Sequence, residues 1–354
     1  MPSATASQEV SLPLSNTGAL SSMPILLLNV HENCNCRCIM CDIWRRPAGR
    51  ELAIQQVQAF EADLKILGVQ QVVLTGGEPL LHSRFGELCQ IIRRCGVRIT
   101  LLSTGLLLQK RARAIADLVD EVIVSLDGPE EVHNQIRRVS GAYRLLHEGI
   151  AAVRELQPDM PFCVRSTIQS ANCDRLRQTV AVAKTMKCTS ISFLAVDVTS
   201  TAFNRELIWP GEQTQSIGLD AAQVERLERE VECLVCDNAT DFESGYIVES
   251  PEKLRRIVRS FQSRLGRFPP SSPICNAPWV SAVVEVDGSL RPCFFHRVVS
   301  ETRTQTLTQA VNSPEAIRFR QMLDVAKDRT CQQCVCSLNY SPQEDLSRKN
   351  QIAP

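Results

Sequence analysis

Apolar residues follow two rhythms along this chain, and the rhythms alternate. Met23 to Val30 is an almost unbroken apolar run, Pro24-Ile25-Leu26-Leu27-Leu28-Asn29-Val30. Such a run predicts a strand buried on both faces. Glu51 to Leu67 instead places Leu52, Val57, Phe60, Leu64 and Leu67 at helical intervals. Gln71 to Thr75 then predicts a strand, 84–95 a helix and Val97 to Leu102 a strand. The pattern goes on with a helix over 108–118, a strand from Glu121 to Ser125, a helix over 141–156 and a strand from Phe162 to Ile168. A helix over 174–185 and a strand from Ser190 to Val196 complete it.

Six strands with helices between them predict an α/β fold with a parallel sheet and helical crossovers. Six units are two short of a closed eightfold barrel. Periodicity alone leaves open whether the sheet closes. In such sheets the loops at the carboxyl ends of the strands carry the chemistry.

After residue 197 the alternation stops. Asp220 reads as an N-cap before an amphipathic helix with Val224, Leu227, Val231 and Leu234 on one face. Ser250-Pro251 opens a second helix, with Pro at its first position. Phe268 to Pro273 reads as a linker. Ser281 to Val286 and Leu290 to Phe295 flank Asp287-Gly288, a hairpin signal. Cys275 precedes that hairpin and Cys293 is expected on its return strand. A helix from Pro314 to Leu323 leads to Cys331-Gln332-Gln333-Cys334-Val335-Cys336. The expected division is a leader (1–22), a core (23–200), a helical connector (201–270), a small hairpin-plus-helix domain (271–340) and a tail (341–354).

Composition narrows the function classes. The chain has 354 residues, 44% of them apolar, enough for a sizeable core and two domains. Its 39 basic and 39 acidic residues cancel, which argues against nucleic-acid or membrane-surface partners. No apolar run is long enough to cross a membrane. Residues 1–22 are rich in Ser, Thr and Ala and lack a basic n-region, so they read as a disordered leader and not a signal peptide. The expected location is the cytoplasm.

The 16 cysteines change the picture. In a long chain with no export signal, metal ligation accounts for them better than disulfides do. Four crowd the loop after the first strand: Cys34-Asn35-Cys36-Arg37-Cys38-Ile39-Met40-Cys41. No helix or strand aims all four thiols one way, whereas a loop around a soft metal centre collects several. A zinc knuckle needs a fourth ligand close by, and the nearest is His31. Disulfides between neighbouring loop cysteines would be strained. Cys36 is the surplus member, because using it breaks the spacing.

Read as Cys34-x3-Cys38-x2-Cys41, followed by Asp42-Ile43-Trp44, the loop resembles that of the radical S-adenosylmethionine (SAM) enzymes. The resemblance implies a partial (β/α)6 barrel. It also implies that Cys34, Cys38 and Cys41 hold three irons of a 4Fe–4S cluster and leave the fourth iron to SAM. Thr75-Gly76-Gly77-Glu78-Pro79 ends the second strand and is similar to the family's GGEP motif. Its role there, hydrogen bonding to the SAM amino group, carries to Gly76, Gly77 and Glu78. Ser125 and Arg137, with Arg138 as the rival, match the family's contacts to the SAM carboxylate, for which an Arg fork is well suited. Ser103-Thr104-Gly105 stands where relatives often have Thr-Asn-Gly and a ribose contact, carried here to Ser103. Arg165 and Ser166, and Leu194 to Val196 with Ala195 at their centre, are neighbours expected for ribose and adenine. Met40 replaces an aromatic residue that many relatives place beside adenine.

The pattern Cys275…Gly288-x4-Cys293…Cys331-x2-Cys334 resembles the SPASM or shorter twitch extension of the same family. It implies one auxiliary 4Fe–4S cluster on Cys275, Cys293, Cys331 and Cys334. A structural zinc is the alternative, since four thiolates suit both. Cys336 is a fifth thiol. Cys233 and Cys236 fall one helical turn apart and read as packing or incidental. Cys89, Cys95, Cys163, Cys173 and Cys188 read as ordinary buried residues.

The implied reaction is one-electron cleavage of SAM to a 5′-deoxyadenosyl radical, which abstracts hydrogen from a substrate. A reductant such as flavodoxin or ferredoxin is implied as partner. The substrate reads as a small molecule undergoing oxidation, epimerisation or a related change. A peptide is the alternative, although no amino-terminal peptide-binding domain is expected ahead of the first strand. A non-catalytic electron carrier would need no GGEP, Ser125 or Arg137.

Overall fold

The computed structural model describes residues 18–46, 49–203 and 209–341. The leader before residue 18 and the tail after Ser341 lie outside the described residues. Six strands follow one another in parallel: β1 (Ile25–His31), β2 (Gln71–Gly76), β3 (Arg98–Ser103), β4 (Glu121–Ser125), β5 (Phe162–Ile168) and β6 (Ser190–Ala195). All seven residues of β1 are buried, as expected for a parallel strand covered on both faces. Helices Ile54–Ala59 and Glu61–Ile66, then Phe85–Arg94, Leu108–Leu118, Ala142–Leu156 and Leu176–Thr185, lie in the five crossovers.

Among the described residues the sheet is open and nine-stranded, in the order β6-β5-β4-β3-β2-β1-β7-β8-β9, with β7 (Ser281–Val284), β8 (Ser289–Arg291) and β9 (Ser300–Glu301). Strand β7 pairs in parallel with β1, from Ile25 opposite Ser281 to Leu28 opposite Val284. The carboxy-terminal extension therefore continues the barrel sheet instead of standing apart from it. The Asp287-Gly288 turn forms as expected, with Gly288 at φ +83° and β8 antiparallel to β7. The return strand is shorter than expected, so Cys293 lies just past it.

The sheet's far edge is covered too. Glu249 of the connector is 2% exposed and accepts from Ser192 Oγ and Phe193 N, and Ile247 bridges to Ile191 on β6. Asp220 closes a capping box on helix Ala221–Asp237, and Ser250 caps helix Pro251–Arg264. Covering exposed strand edges removes templates for wrong pairing.

Asp63, 4% exposed on the core helix Glu61–Ile66, caps a helix of the extension. Its carboxylate accepts Leu307 N at 3.0 Å, Thr308 N at 3.2 Å and Thr308 Oγ1 at 2.5 Å. Composition puts residues 18–22 in the disordered leader, but the structure ties them to the extension. Leu20 exchanges hydrogen bonds with the Asn312 side chain, and Arg320 Nε donates to the Gly18 carbonyl at 2.6 Å.

Candidate functional site

The cysteine loop leaves β1 and is fastened to helix Glu130–Arg137, an element that its mostly polar sequence did not announce. Arg37 N donates to the Arg137 carbonyl and Ile39 N to that of Ile136, both at 3.1 Å. The loop turns Cys34, Cys38 and Cys41 onto the wall of one cavity of about 700 Å³. Cys36 is 1% exposed and does not line it. Hydrogen bonding to Cys34 and Cys38, with burial, raises the Cys36 thiol. The Cys36 hydrogen bond and the Arg137 charge lower Cys38 to about 7 against its burial.

The two glycines after β2 serve this loop. A Cβ on Gly77 would fall 1.9 Å from the Asn33 carbonyl oxygen, and one on Gly76 would fall 2.6 Å from that of His31. Gly76 also sits at φ +127°, where side chains are strained. Gly77 N and Glu78 N donate to His31 O and Asn33 O. Both glycines line the cavity.

Glu78 does not reach it. Its carboxylate is fully buried and accepts Leu80 N at 3.1 Å, Ser103 Oγ at 3.0 Å, Thr104 N at 2.7 Å and Thr104 Oγ1 at 2.7 Å. Burial raises its pKa against the pull of those donors. The carboxylate ties the turn to the end of β3. Ser103, expected at the ribose, lines the cavity but spends its hydroxyl on Glu78.

Arg137 and Ser125 line the cavity, whereas Arg138 is exposed. The Arg137 fork is already engaged. Nε and Nη2 each lie 2.7 Å from Asp127 Oδ2, and Nη1 donates to Cys38 Sγ at 3.6 Å. A carboxylate ligand would therefore not meet a free fork. Met40, Arg165 and Ala195 line the same space, but Ser166 does not. The sequence reading missed the part of the wall that the extension supplies. The extension brings Glu285, Arg291, Phe294 and Phe295 there, with Arg291 Nε on Glu285 Oε1 at 2.9 Å.

A second cavity, of about 60 Å³, lies within the extension. Cys275, Cys293, Cys331, Cys334 and Cys336 all line it, as does His296. Cys336 lines both cavities. Burial pushes Cys293 and Cys331 up to about 12 and Cys336 to about 11. Among all sixteen cysteines none forms a disulfide. Cys233 and Cys236 are exposed, so packing does not explain them.

Residues 28–169 match the radical SAM superfamily, and residues 275–335 match SPASM, an iron–sulfur cluster-binding domain. The chain belongs to the radical SAM superfamily and carries a SPASM domain. An AdoMet-dependent heme synthase of Methanosarcina barkeri is 29% identical over 175 residues, 47% of this chain and 49% of that protein. The sporulation killing factor maturation protein SkfB of Bacillus subtilis is 28% identical over 174 residues, 48% of this chain and 42% of that protein. The matches span about half or less of these relatives' lengths. The structure of Streptococcus suis SuiB bound to S-adenosylmethionine has a TM-score of 0.63 over 92% of this chain and 75% of that one, at 13% identity. That likeness speaks for the fold.

The family's cofactors are a SAM-binding 4Fe–4S cluster, SAM and an auxiliary iron–sulfur cluster. The donors around the radical SAM cavity fit the first. Cys38 Sγ faces a guanidinium, and Cys41 Sγ accepts Ile43 N at 3.4 Å. Both sulfurs thus meet N–H groups that favour a thiolate. The SPASM cavity fits the second in the same way. Cys334 Sγ accepts Cys336 N at 3.3 Å, and a set of half-buried thiols around one cavity gains from metal-driven deprotonation. Among the described residues no helix is long and apolar enough to cross a membrane.

Proposed function

We propose that the protein is a SAM-cleaving radical enzyme acting on a small molecule, with Cys34, Cys38 and Cys41 as ligands of the SAM-binding cluster. One observation carries this reading: these thiols share a single cavity with Gly76, Gly77, Ser125 and Arg137 at the carboxyl ends of the parallel strands. Cys34, Cys38 and Cys41 would hold the cluster, which would supply the electron for reductive cleavage of SAM. Arg137 holds Nη1 3.6 Å from the Cys38 sulfur and lines the cavity with Ser125. Leu102, Ala195 and Val196 give the adenosine an apolar wall. Phe294 and Phe295 close the extension's side against water. Cys275, Cys293, Cys331 and Cys334 hold the auxiliary cluster, and a flavodoxin- or ferredoxin-type protein delivers electrons.

Cavity size supports a small substrate. Sites for one drug-sized ligand span about 300–1,000 Å³, and here SAM and its cluster share about 700 Å³. What is left suits a small metabolite or one peptide side chain. The similarity to a peptide maturation protein keeps the peptide reading as the second choice.

Anaerobic reconstitution tests the proposal. Iron should reach about eight per chain, four for each cluster. SAM and dithionite should yield 5′-deoxyadenosine, a yield lost in Cys38→Ala and kept in Cys36→Ala. An iron-loaded protein that leaves SAM intact would overturn the reading.

A further inference from the structure

One histidine stands against the smaller cavity. His296 is 8% exposed, and its Nε2 lies 3.5 Å from Cys331 Sγ. Phe319 meets the ring edge to face, with centroids 4.8 Å apart at 66°. Arg291 Nη1 donates to the His296 carbonyl at 3.0 Å and fixes the backbone. Asp328 completes the group: its Oδ1 accepts Cys331 N at 2.9 Å and lies 3.8 Å from the same Nε2. The ligand atoms of His296, Asp328 and Cys331 all lie within 4.8 Å of one another.

The chemistry of these atoms decides what the ring does. A thiolate sulfur and a carboxylate oxygen are both acceptors, so a ring nitrogen facing both is best satisfied as an N–H donor. Five cysteines already line the cavity, so four thiolate ligands are available without an imidazole.

We propose that His296 is a positioning residue that donates an N–H···S hydrogen bond to Cys331 and so sets the reduction potential of the auxiliary cluster. This rests on the auxiliary 4Fe–4S reading given above. Reduction adds negative charge that spreads onto the thiolate sulfurs, and a donor aimed at one of them favours the reduced state. Hydrogen bonds to the sulfurs are among the factors that set the potentials of such clusters. The Asp328 carboxylate, beside the same sulfur, acts in the opposite sense.

The test is a redox titration of the full-length, anaerobically reconstituted protein, followed by electron paramagnetic resonance. His296→Phe keeps a ring against Phe319 and removes the N–H; His296→Gln restores a donor. The Phe variant should keep the wild-type iron content and leave the SAM-cluster signal unmoved. Its auxiliary cluster should be about tenfold harder to reduce, a shift of ~59 mV for one electron. The Gln variant should recover part of that shift. An unchanged auxiliary potential in His296→Phe would overturn the inference. So would the loss of about four irons, which would make His296 a ligand. A wild-type protein with zinc, or with no auxiliary signal, would remove the auxiliary-cluster reading itself and the inference with it.

Discussion

Glu78 offers a sharp test, because two roles for it predict different measurements. If its carboxylate contacts SAM, Glu78→Gln should weaken SAM binding and leave the SAM-free protein as stable as before. The structure instead surrounds the carboxylate with Leu80 N, Ser103 Oγ, Thr104 N and Thr104 Oγ1. An amide keeps one acceptor oxygen and turns an NH2 group toward the other set. In either orientation a buried backbone N–H, that of Leu80 or of Thr104, meets a donor. An unsatisfied buried donor costs ~1–3 kcal/mol, and hydrogen bonds to a charged acceptor contribute ~1.5–3 kcal/mol each. Relief of the buried charge offsets part of this, leaving a net loss of about 2–4 kcal/mol. With an unfolding entropy of ~2.1 cal/mol/K per residue, a chain of this size should melt about 3–5 °C lower without SAM. Thr104→Val should couple to Glu78→Gln by at least about 1 kcal/mol in a double-mutant cycle, since the groups touch. A SAM-free melting temperature within 1 °C of wild type, with weakened SAM binding, would refute the anchoring role.

Two further outcomes follow from the packing. Asp63→Ala leaves Leu307 N and Thr308 N at a buried helix start without their acceptor. A loss of about 2–4 kcal/mol at that start should speed hydrogen exchange of a peptide spanning 305–310 by about 30- to 1,000-fold, and an unchanged rate would count against the cap. Glu32 is buried and bonded by Arg46 Nη1 at 2.8 Å and Arg50 Nη2 at 2.6 Å. Burial raises its pKa, but the Arg50 hydrogen bond and the two guanidinium charges outweigh it and hold the carboxylate below the ordinary value of 4.5. Its contribution is therefore full above that value and is lost as pH falls through the lowered one. The difference in urea midpoint between wild type and Glu32→Gln should be constant near neutrality and shrink in acid; a difference that does not change with pH would contradict the pairing.

Much of the barrel was legible because each unit writes its own burial pattern. The helix Leu108–Leu118 and the strands Glu121–Ser125 and Phe162–Ile168 fall where the spacing puts them. The helix Glu130–Arg137 escaped notice because only Val132 and Ile136 mark its apolar face. The pairing of β7 with β1 escaped for a different reason. Ser281 to Val284 reads as a strand, but nothing local says that its partner is Ile25 to Leu28, most of a chain away. That one pairing decides what faces the cavity, since it brings the extension, with Glu285, Arg291, Phe294 and Cys336, to the cavity wall.

Direction is the part of a site that motifs do not write. Gly76, Gly77 and Glu78 stand together in the sequence, yet the glycines face the cavity while the carboxylate faces Ser103 and Thr104. The resemblance preferred Arg137 to Arg138, and the physical reason came with helix Glu130–Arg137, which buries the first and exposes the second. The Arg137 fork was then found on Asp127, ten residues back in the chain. The same holds for Cys336. As a fifth thiol it looks redundant, but in the fold it is the one cysteine that lines both cavities. A motif thus names the residues a site can use, and the packing around each side chain decides which of them face the ligand and which hold the others in place.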